Sequence, residues 1–275
     1  MELAPGQTLE EVRFLKRYKR FLVDVERKNG EVLTVHNPNT GSMKSCLTEG
    51  GRAIISWKSR EQMKRSGAKL PATLELLRSS TGWIGVNTMR TNSIVLAALQ
   101  RGFLQIPASP KGRDARELLA ASALRRLEKH LAGPADASVA SETSGSALAS
   151  DYLREPALQD RDFRPDLYWK GGLVEIKNVT QIDGNWIQFP DARSERGTRH
   201  LKELAALQRQ GFPCSVVFAI SRPEGENFRA ARQIDSAFAD ALQEARKAGM
   251  NIMARRFKYS QKGIFDAGPV SIRIS

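Results

Sequence analysis

Asp166, Glu175 and Lys177 are the residues whose types and spacing carry chemistry. They stand in Arg164-Pro165-Asp166-Leu167-Tyr168-Trp169-Lys170-Gly171-Gly172-Leu173-Val174-Glu175-Ile176-Lys177. Two apolar runs flank a glycine pair, the pattern of a β-hairpin with Gly171-Gly172 as its turn, because both glycines tolerate positive φ. Side chains alternate along a strand, so Glu175 and Lys177 share one face while Val174 and Ile176 take the other. With that turn, Asp166 falls opposite Lys177, and opposed residues point to the same face. Two carboxylates and an amine then converge. Such a set suits a hard divalent cation, Mg²⁺ or Mn²⁺, with a fixed positive charge that orients water. Glu-x-Lys on the wet face of a strand is also a common, weak ion pair, so the rest of the chain has to support the chemistry.

The chain of 275 residues has 43 Lys and Arg against 30 Asp and Glu, a formal net charge of +13. That excess favours a polyanionic partner, nucleic acid (DNA first) before a membrane. Cys46 and Cys214 lie far apart and form no metal-binding spacing, as expected of free thiols in a reducing compartment. The first residues lack the apolar core of a signal peptide, and no apolar run approaches membrane-spanning length. A cytoplasmic protein is the expectation. No P-loop or sugar-site motif supports a sugar-modifying enzyme, and no helix-turn-helix reader is visible.

Residues 13–25 are densely basic with interleaved aromatics. Arg13, Arg17, Lys19 and Arg20 suit phosphates and Tyr18 suits base stacking, although the same residues would also make a strand with packed aromatics and a solvated basic face. Lys28-Asn29-Gly30 then signals a hairpin. The polar loop 36–43, His36-Asn37-Pro38-Asn39-Thr40-Gly41-Ser42-Met43, offers hydroxyls, amides and backbone N–H groups; His36, Asn39 and Thr40 are its candidate phosphate contacts. Short strands separated by turns predict a small OB-like β-barrel over residues 13–82.

From residue 83 the pattern changes. Helices are predicted near 93–99 and over 114–131, where Leu118, Leu119, Leu124 and Leu127 form an apolar stripe. Residues 132–150 are rich in Ala, Ser and Gly, the composition of a mobile insert, with a short strand around Glu142 as the other reading. Residues 151–162 read as a polar surface loop. A helix begins within 194–198 and sets Arg196, His200 and Glu203 on one face. Arg and His at a helix start run against the helix dipole, which points to an anion such as phosphate. The apolar run 214–220 reads as a strand covered on both faces. A helix over 234–249 and a strand at 251–254 complete an α/β sandwich spanning 83–260. The remainder, 261–275, reads as a C-terminal tail with one last strand at 270–274.

The Pro-Asp…Glu-x-Lys pattern resembles the signature of the PD-(D/E)XK nuclease superfamily. The chain as a whole resembles the sugar fermentation stimulation protein family. Arg17-Tyr18-Lys19-Arg20-Phe21, the loop 36–43, Val86-Asn87-Thr88 and Glu175-Ile176-Lys177-Asn178-Val179-Thr180 carry the resemblance. Further on, so do Phe189-Pro190-Asp191-Ala192, Glu195-Arg196-Gly197, His200-Leu201 and Ile234-Asp235. The resemblance implies a mixed α/β chain with an N-terminal OB-like domain and a C-terminal PD-(D/E)XK-like domain. It also implies DNA binding and a link to regulation of sugar (maltose) metabolism in bacteria. The family usually has Ser-Arg-Ile-Asp-Phe where this chain has Phe163-Arg164-Pro165-Asp166-Leu167; the Arg and Asp persist. The family also places a Glu about a dozen residues earlier, and Glu142 in Ser141-Glu142-Thr143 is taken as its counterpart, across a longer stretch. The expectation is a DNA-binding protein in which Asp166 and Glu175, helped by Glu142, hold a metal ion, Lys177 orients water, and Arg196 and His200 touch the backbone or support the site. The alternative is a non-catalytic DNA-binding regulator with a vestigial site.

Overall fold

The structure, a computed structural model, describes residues 1–107, 113–132 and 151–274. The stretch that includes Glu142 lies outside the described residues.

Alternation builds the N-terminal part. Strands β1 (Leu9–Tyr18), β2 (Leu22–Glu26), β3 (Val32–His36), β4 (Arg52–Trp57) and β5 (Ala72–Arg78) turn Val12, Phe14, Val23, Val25, Val35, Ile55 and Leu74 inward. β1 and β2 are joined by Lys19-Arg20-Phe21, a three-residue loop in which Lys19 and Arg20 take positive φ of 47° and 62°. Asn29-Gly30 lies in the β2–β3 turn as its sequence requires. Successive strands pair antiparallel in the order β3-β2-β1-β4-β5, and one parallel bridge, His36 to Thr73, returns β3 to β5 and closes the five into a ring. A short helix, α1 (Arg60–Ser66), connects β4 to β5; Ser59 and Gln62 cap it reciprocally, and it buries no residue.

The ring continues into the second part without a break in hydrogen bonding. β6 (Trp83–Gly85) pairs with β5 on one side and with β14 (Asn251–Ser260) on the other. Between them in sequence come α2 (Thr91–Gln100), α3 (Ala121–Ala132), β7 (Tyr152–Arg154), β8 (Leu167–Trp169), β9 (Gly172–Val179), β10 (Gln181–Asp183), β11 (Trp186–Phe189), α4 (Glu195–Arg209), β12 (Cys214–Ile220), β13 (Asn227–Ala230) and α5 (Ser236–Lys247). β9, β12 and β14 run parallel, and β8 and β7 extend the sheet antiparallel. Both faces are covered. Leu173, Val179, Val216 and Phe218 meet Leu201, Leu204, Phe238 and Leu242 of α4 and α5, while Val174, Ile176, Val217 and Ala219 meet Ile94, Val95 and Leu99 of α2. β12 is buried throughout, as its unbroken apolar run predicts.

Local outcomes differ from the sequence pattern for physical reasons. The stripe over 114–131 is two pieces, a 3₁₀ turn (Ala115–Leu118) and α3. Leu119 between them is extended and bridges Leu158 across the loop. The segment 151–162 carries β7, an edge strand. Residues beyond 260, read as a tail, form β15 (Gly263–Pro269) beside β14 and β16 (Ser271–Arg273) in a small second sheet with β10, β11 and β13. Met1 seats against β15, its ammonium donating to the Ile264 carbonyl at 3.0 Å. Among the described residues no helix is long and apolar enough to cross a membrane. Cys46 and Cys214 are both free and buried.

Candidate metal and nucleic-acid site

The β8–β9 hairpin positions the site, with one correction to its turn. The ladder pairs Leu167 with Val174 and Trp169 with Gly172, so the two-residue turn is Lys170-Gly171, at φ 43° and 88°. Asp166 therefore stands across from Glu175, not Lys177. Pairing differs by two residues, and two is the strand's side-chain period, so every side chain keeps its face. Asp166 sits just before β8. Its Oδ2 accepts from Ile176 N at 2.7 Å and its Oδ1 from Asn92 Nδ2 of α2 at 3.1 Å.

Glu175 is buried, 2% exposed, in the middle of β9. Its Oε1 accepts from Lys177 Nζ at 2.6 Å and lies 2.8 Å from His200 Nδ1 on α4. Arg196 Nε donates to His200 Nε2 at 3.3 Å. A guanidinium only donates, so Nε2 is the acceptor and the imidazole proton is on Nδ1, pointing at Glu175. Phe163 packs edge-on against the ring at 4.7 Å and fixes its plane. Glu175 Oε2 is buried with no hydrogen-bond partner. A buried carboxylate oxygen left bare is costly and therefore needs a reason.

The two carboxyls titrate in opposite directions. Burial, then the nearby Glu175 charge, pushes Asp166 up to about 6, against the pull of the Ile176 N–H and Lys177. Burial also pushes Glu175 upward, but the His200 hydrogen bond and Lys177 together outweigh it and hold the group below its ordinary value. One carboxylate is thus fixed as an anion and its neighbour is poised. The donor set fits a hard divalent cation: two carboxylates, one carrying an unshared buried oxygen, with a lysine at their edge. Among the described residues no three His, Cys, Asp or Glu side chains converge tightly enough to complete a cage by themselves.

Asp166 and Lys177 line a cleft of ≈ 710 Å³ between the two parts of the chain. Arg20, Asn39 and Thr40 reach it from the N-terminal ring, and Arg193 from the segment before α4. The loop 36–43 owes its shape to Arg17, whose Nε, Nη1 and Nη2 donate to the carbonyls of Arg20, Ser42, Asn39 and Gly41. Gly41 lies so close to the Asp191 carboxylate that a Cβ there would overlap it. Asp191 Oδ2 also accepts from Met43 N at 3.1 Å. The other candidate contacts stand apart from the cleft lining. Arg13 pairs with Glu26, Tyr18 donates to Asp24 at 3.0 Å, Lys19 is an exposed turn residue, and His36 is half-buried. Burial, then Lys58, lowers the His36 pKa. Glu203, expected beside Arg196, pairs instead with Arg161.

Sequence reasoning passed over Glu155. It follows β7, adopts φ 46° and lines the same cleft as Asp166 and Lys177, its backbone N donating to the Asp166 carbonyl at 3.0 Å. Its distance from Asp166 in the chain meets the spacing the resemblance asks for without the long detour that Glu142 needs. The intervening Pro-Ala-Leu-Gln sequence hid that match.

Comparison with known proteins fits this arrangement. The profile described as the SfsA N-terminal OB domain matches residues 15–86, and that of the sugar fermentation stimulation protein RE domain matches residues 135–263. A sugar fermentation stimulation protein homolog of Pseudomonas aeruginosa (strain PAO1) is 37% identical over 272 residues, covering 98% of each chain. The homolog of Pseudomonas fluorescens (strain SBW25) is 36% identical over 90% of this chain and 89% of its own, and that of Geotalea uraniireducens 33% identical over 94% and 95%. The solved structure of Pyrococcus furiosus SfsA, determined in complex with Ca²⁺, has the same fold, with a TM-score of 0.72 and 22% identity over 100% of both chains.

Proposed function

The chain belongs to the sugar fermentation stimulation protein family, and from that premise we propose that it is a DNA-binding protein with a metal-dependent phosphodiesterase site of the nuclease type. The observation that carries the reading is the bare, buried Oε2 of Glu175, opposite Asp166 in the hairpin, where Asp166 and Lys177 line a cleft that also holds Arg20 and Arg193. Ca²⁺ in the Pyrococcus furiosus structure supports a hard cation as the ligand class. Asp166 and Glu175 would hold the ion, Glu175 through Oε2. A bound Mg²⁺ or Mn²⁺ supplies Lewis-acid polarisation of a phosphodiester oxygen and lowers the pKa of a coordinated water.

The chain's own residues do the rest. His200, with its proton on Nδ1, holds Glu175 Oε1 and so fixes which oxygen is offered. Lys177 balances charge beside the scissile phosphate and orients water there. Arg20 and Arg193 hold flanking phosphates by charge, without reading sequence. The expected link to regulation of sugar metabolism would act through nucleic-acid binding.

The test is cleavage of labelled oligonucleotides in Mg²⁺, Mn²⁺ or EDTA by wild type, Asp166→Ala and Lys177→Ala. Metal-dependent cutting lost in both variants, with salt-sensitive binding retained, is the expected result. Cutting that survives Asp166→Ala overturns the assignment. A second reading rests on one observation: among the described residues no third ligand closes around Asp166 and Glu175. In that reading the chain is a binding-only regulator, and it is favoured if binding is tight but no metal elicits cutting.

A further inference from the structure

Resting on the reading above, we propose that the cleft takes a single, unpaired nucleic-acid strand and excludes a duplex. Its ≈ 710 Å³ is the size of a small-ligand site, too small to enclose a double helix. Asp166 and Lys177 line it, so a phosphate has to enter the cleft to reach them.

The walls are fastened to each other. Asp191 of one wall accepts from Met43 N of the other at 3.1 Å, and Thr88 Oγ1 donates to the Pro38 carbonyl at 3.0 Å. Behind them Arg222, 3% exposed and held within its own part by the Thr180 carbonyl and Glu224, donates to Ser45 Oγ at 3.2 Å across the junction of the two parts. Widening the cleft for a second strand would break the Asp191–Met43, Thr88–Pro38 and Arg222–Ser45 hydrogen bonds together.

The rim has the chemistry of unstacked nucleotides. Met89 lines the cleft, yet is 73% exposed and is the most exposed of the large apolar side chains among the described residues. Arg20 and Arg193 flank the opening, both exposed, and neither side chain takes part in an ion pair or hydrogen bond among the described residues. A soft apolar surface in the same cleft as free cations suits bases splayed from a strand whose phosphates the cations hold. In a duplex those base faces are already stacked and unavailable to Met89.

The experiment uses the full chain and equal-length labelled substrates: an unstructured DNA strand, an unstructured RNA strand, a blunt DNA duplex, and a duplex with a single-stranded arm. Binding is read by fluorescence anisotropy in Ca²⁺, and cutting in Mg²⁺ or Mn²⁺. The expected result is single-strand affinity roughly tenfold or more above that of the blunt duplex at equal salt, with any cutting confined to the single-stranded arm. Met89→Glu and Arg193→Glu, at exposed positions, should each lower single-strand affinity by roughly fivefold or more. The DNA and RNA arms decide which sugar the cleft takes. Duplex affinity equal to or above the single-strand value overturns the inference, whether or not anything is cut. A single-strand preference with no cutting upholds it and removes the phosphodiesterase instead.

Discussion

Glu175 divides its work between its two oxygens, and the site's behaviour follows from that division. Oε1 is saturated by Lys177 and His200, while Oε2 is bare. Replacing His200 with Ala removes one hold on Oε1, so cation affinity should fall by roughly tenfold, the usual effect of losing an outer partner of a metal ligand. His200→Asn, which can still donate to Oε1, should recover part of it; titration calorimetry checks both. Asp166 adds a pH dependence. Its carboxyl is raised to about 6, so between its ordinary value and about 6 the folded chain holds an extra proton. Stability from this group is therefore present at low pH and lost as pH rises through about 6. A divalent cation binds the anion and reverses that loss. Thermal melts should show a Mg²⁺-dependent rise above pH 7, worth about 2.7 kcal/mol at a hundredfold excess over Kd, that falls to about half near pH 5 at the same Mg²⁺ concentration. A rise of equal size at both pH values would contradict the assignment. At this scale the trio was legible because an error of two residues in the turn leaves strand parity intact. The direction of His200 was not legible, since helical spacing shows that Arg196 and His200 are neighbours but not which strand they face.

The loop 36–43 and the starts of α4 and α5 are the elements that carry the cleft. Arg17, a candidate phosphate contact by composition, donates to four backbone carbonyls of its neighbours. Arg17→Ala should cost about 2–3 kcal/mol in urea unfolding, as expected for hydrogen bonds from a charged group, and should weaken nucleic-acid binding. Arg17→Lys should not restore it, because a point ammonium cannot span the fork. Asp235 caps α5 by accepting from Phe238 N at 3.0 Å and also accepts from Ser194 N, at the cap of α4, at 2.8 Å. Asp235→Ala should destabilise by about 1–2 kcal/mol, and hydrogen exchange should increase at the first turns of both helices. Hydrophobic period revealed α2, α4, α5 and β12. It could not reveal α1, which buries nothing, nor the break at Leu119, which depends on a bridge to the distant Leu158. The β10, β11 and β13 strands are short, and their pairing partners include β16 at the far end of the chain.

Across the whole molecule, the net charge of +13 is not spread evenly over free groups. Many arginines are paired, among them Arg27 with Glu10, Arg52 with Glu11 and Arg90 with the buried Glu75. On the proposed function, the charge that meets phosphates is the smaller set left free around the cleft, so the salt dependence of binding should correspond to a few released counterions rather than to the full charge. A log–log slope near −10 would show that the outer surface, not the cleft, holds the nucleic acid. The mixed α/β class with an N-terminal OB domain was legible from short strands and turns followed by alternating strands and helices; the continuous ladder through β6, and the ties at Arg222 and Asp191 between the cleft walls, were not, because each joins residues far apart in the chain. The account stands most directly on a Mn²⁺ titration, by calorimetry at pH 7.5, of wild type, Asp166→Ala, Glu175→Gln and Lys177→Ala. It predicts saturable binding in wild type, loss in Asp166→Ala and Glu175→Gln, and retention in Lys177→Ala. Binding that is undiminished in Asp166→Ala and Glu175→Gln, or absent from the wild type, would contradict it.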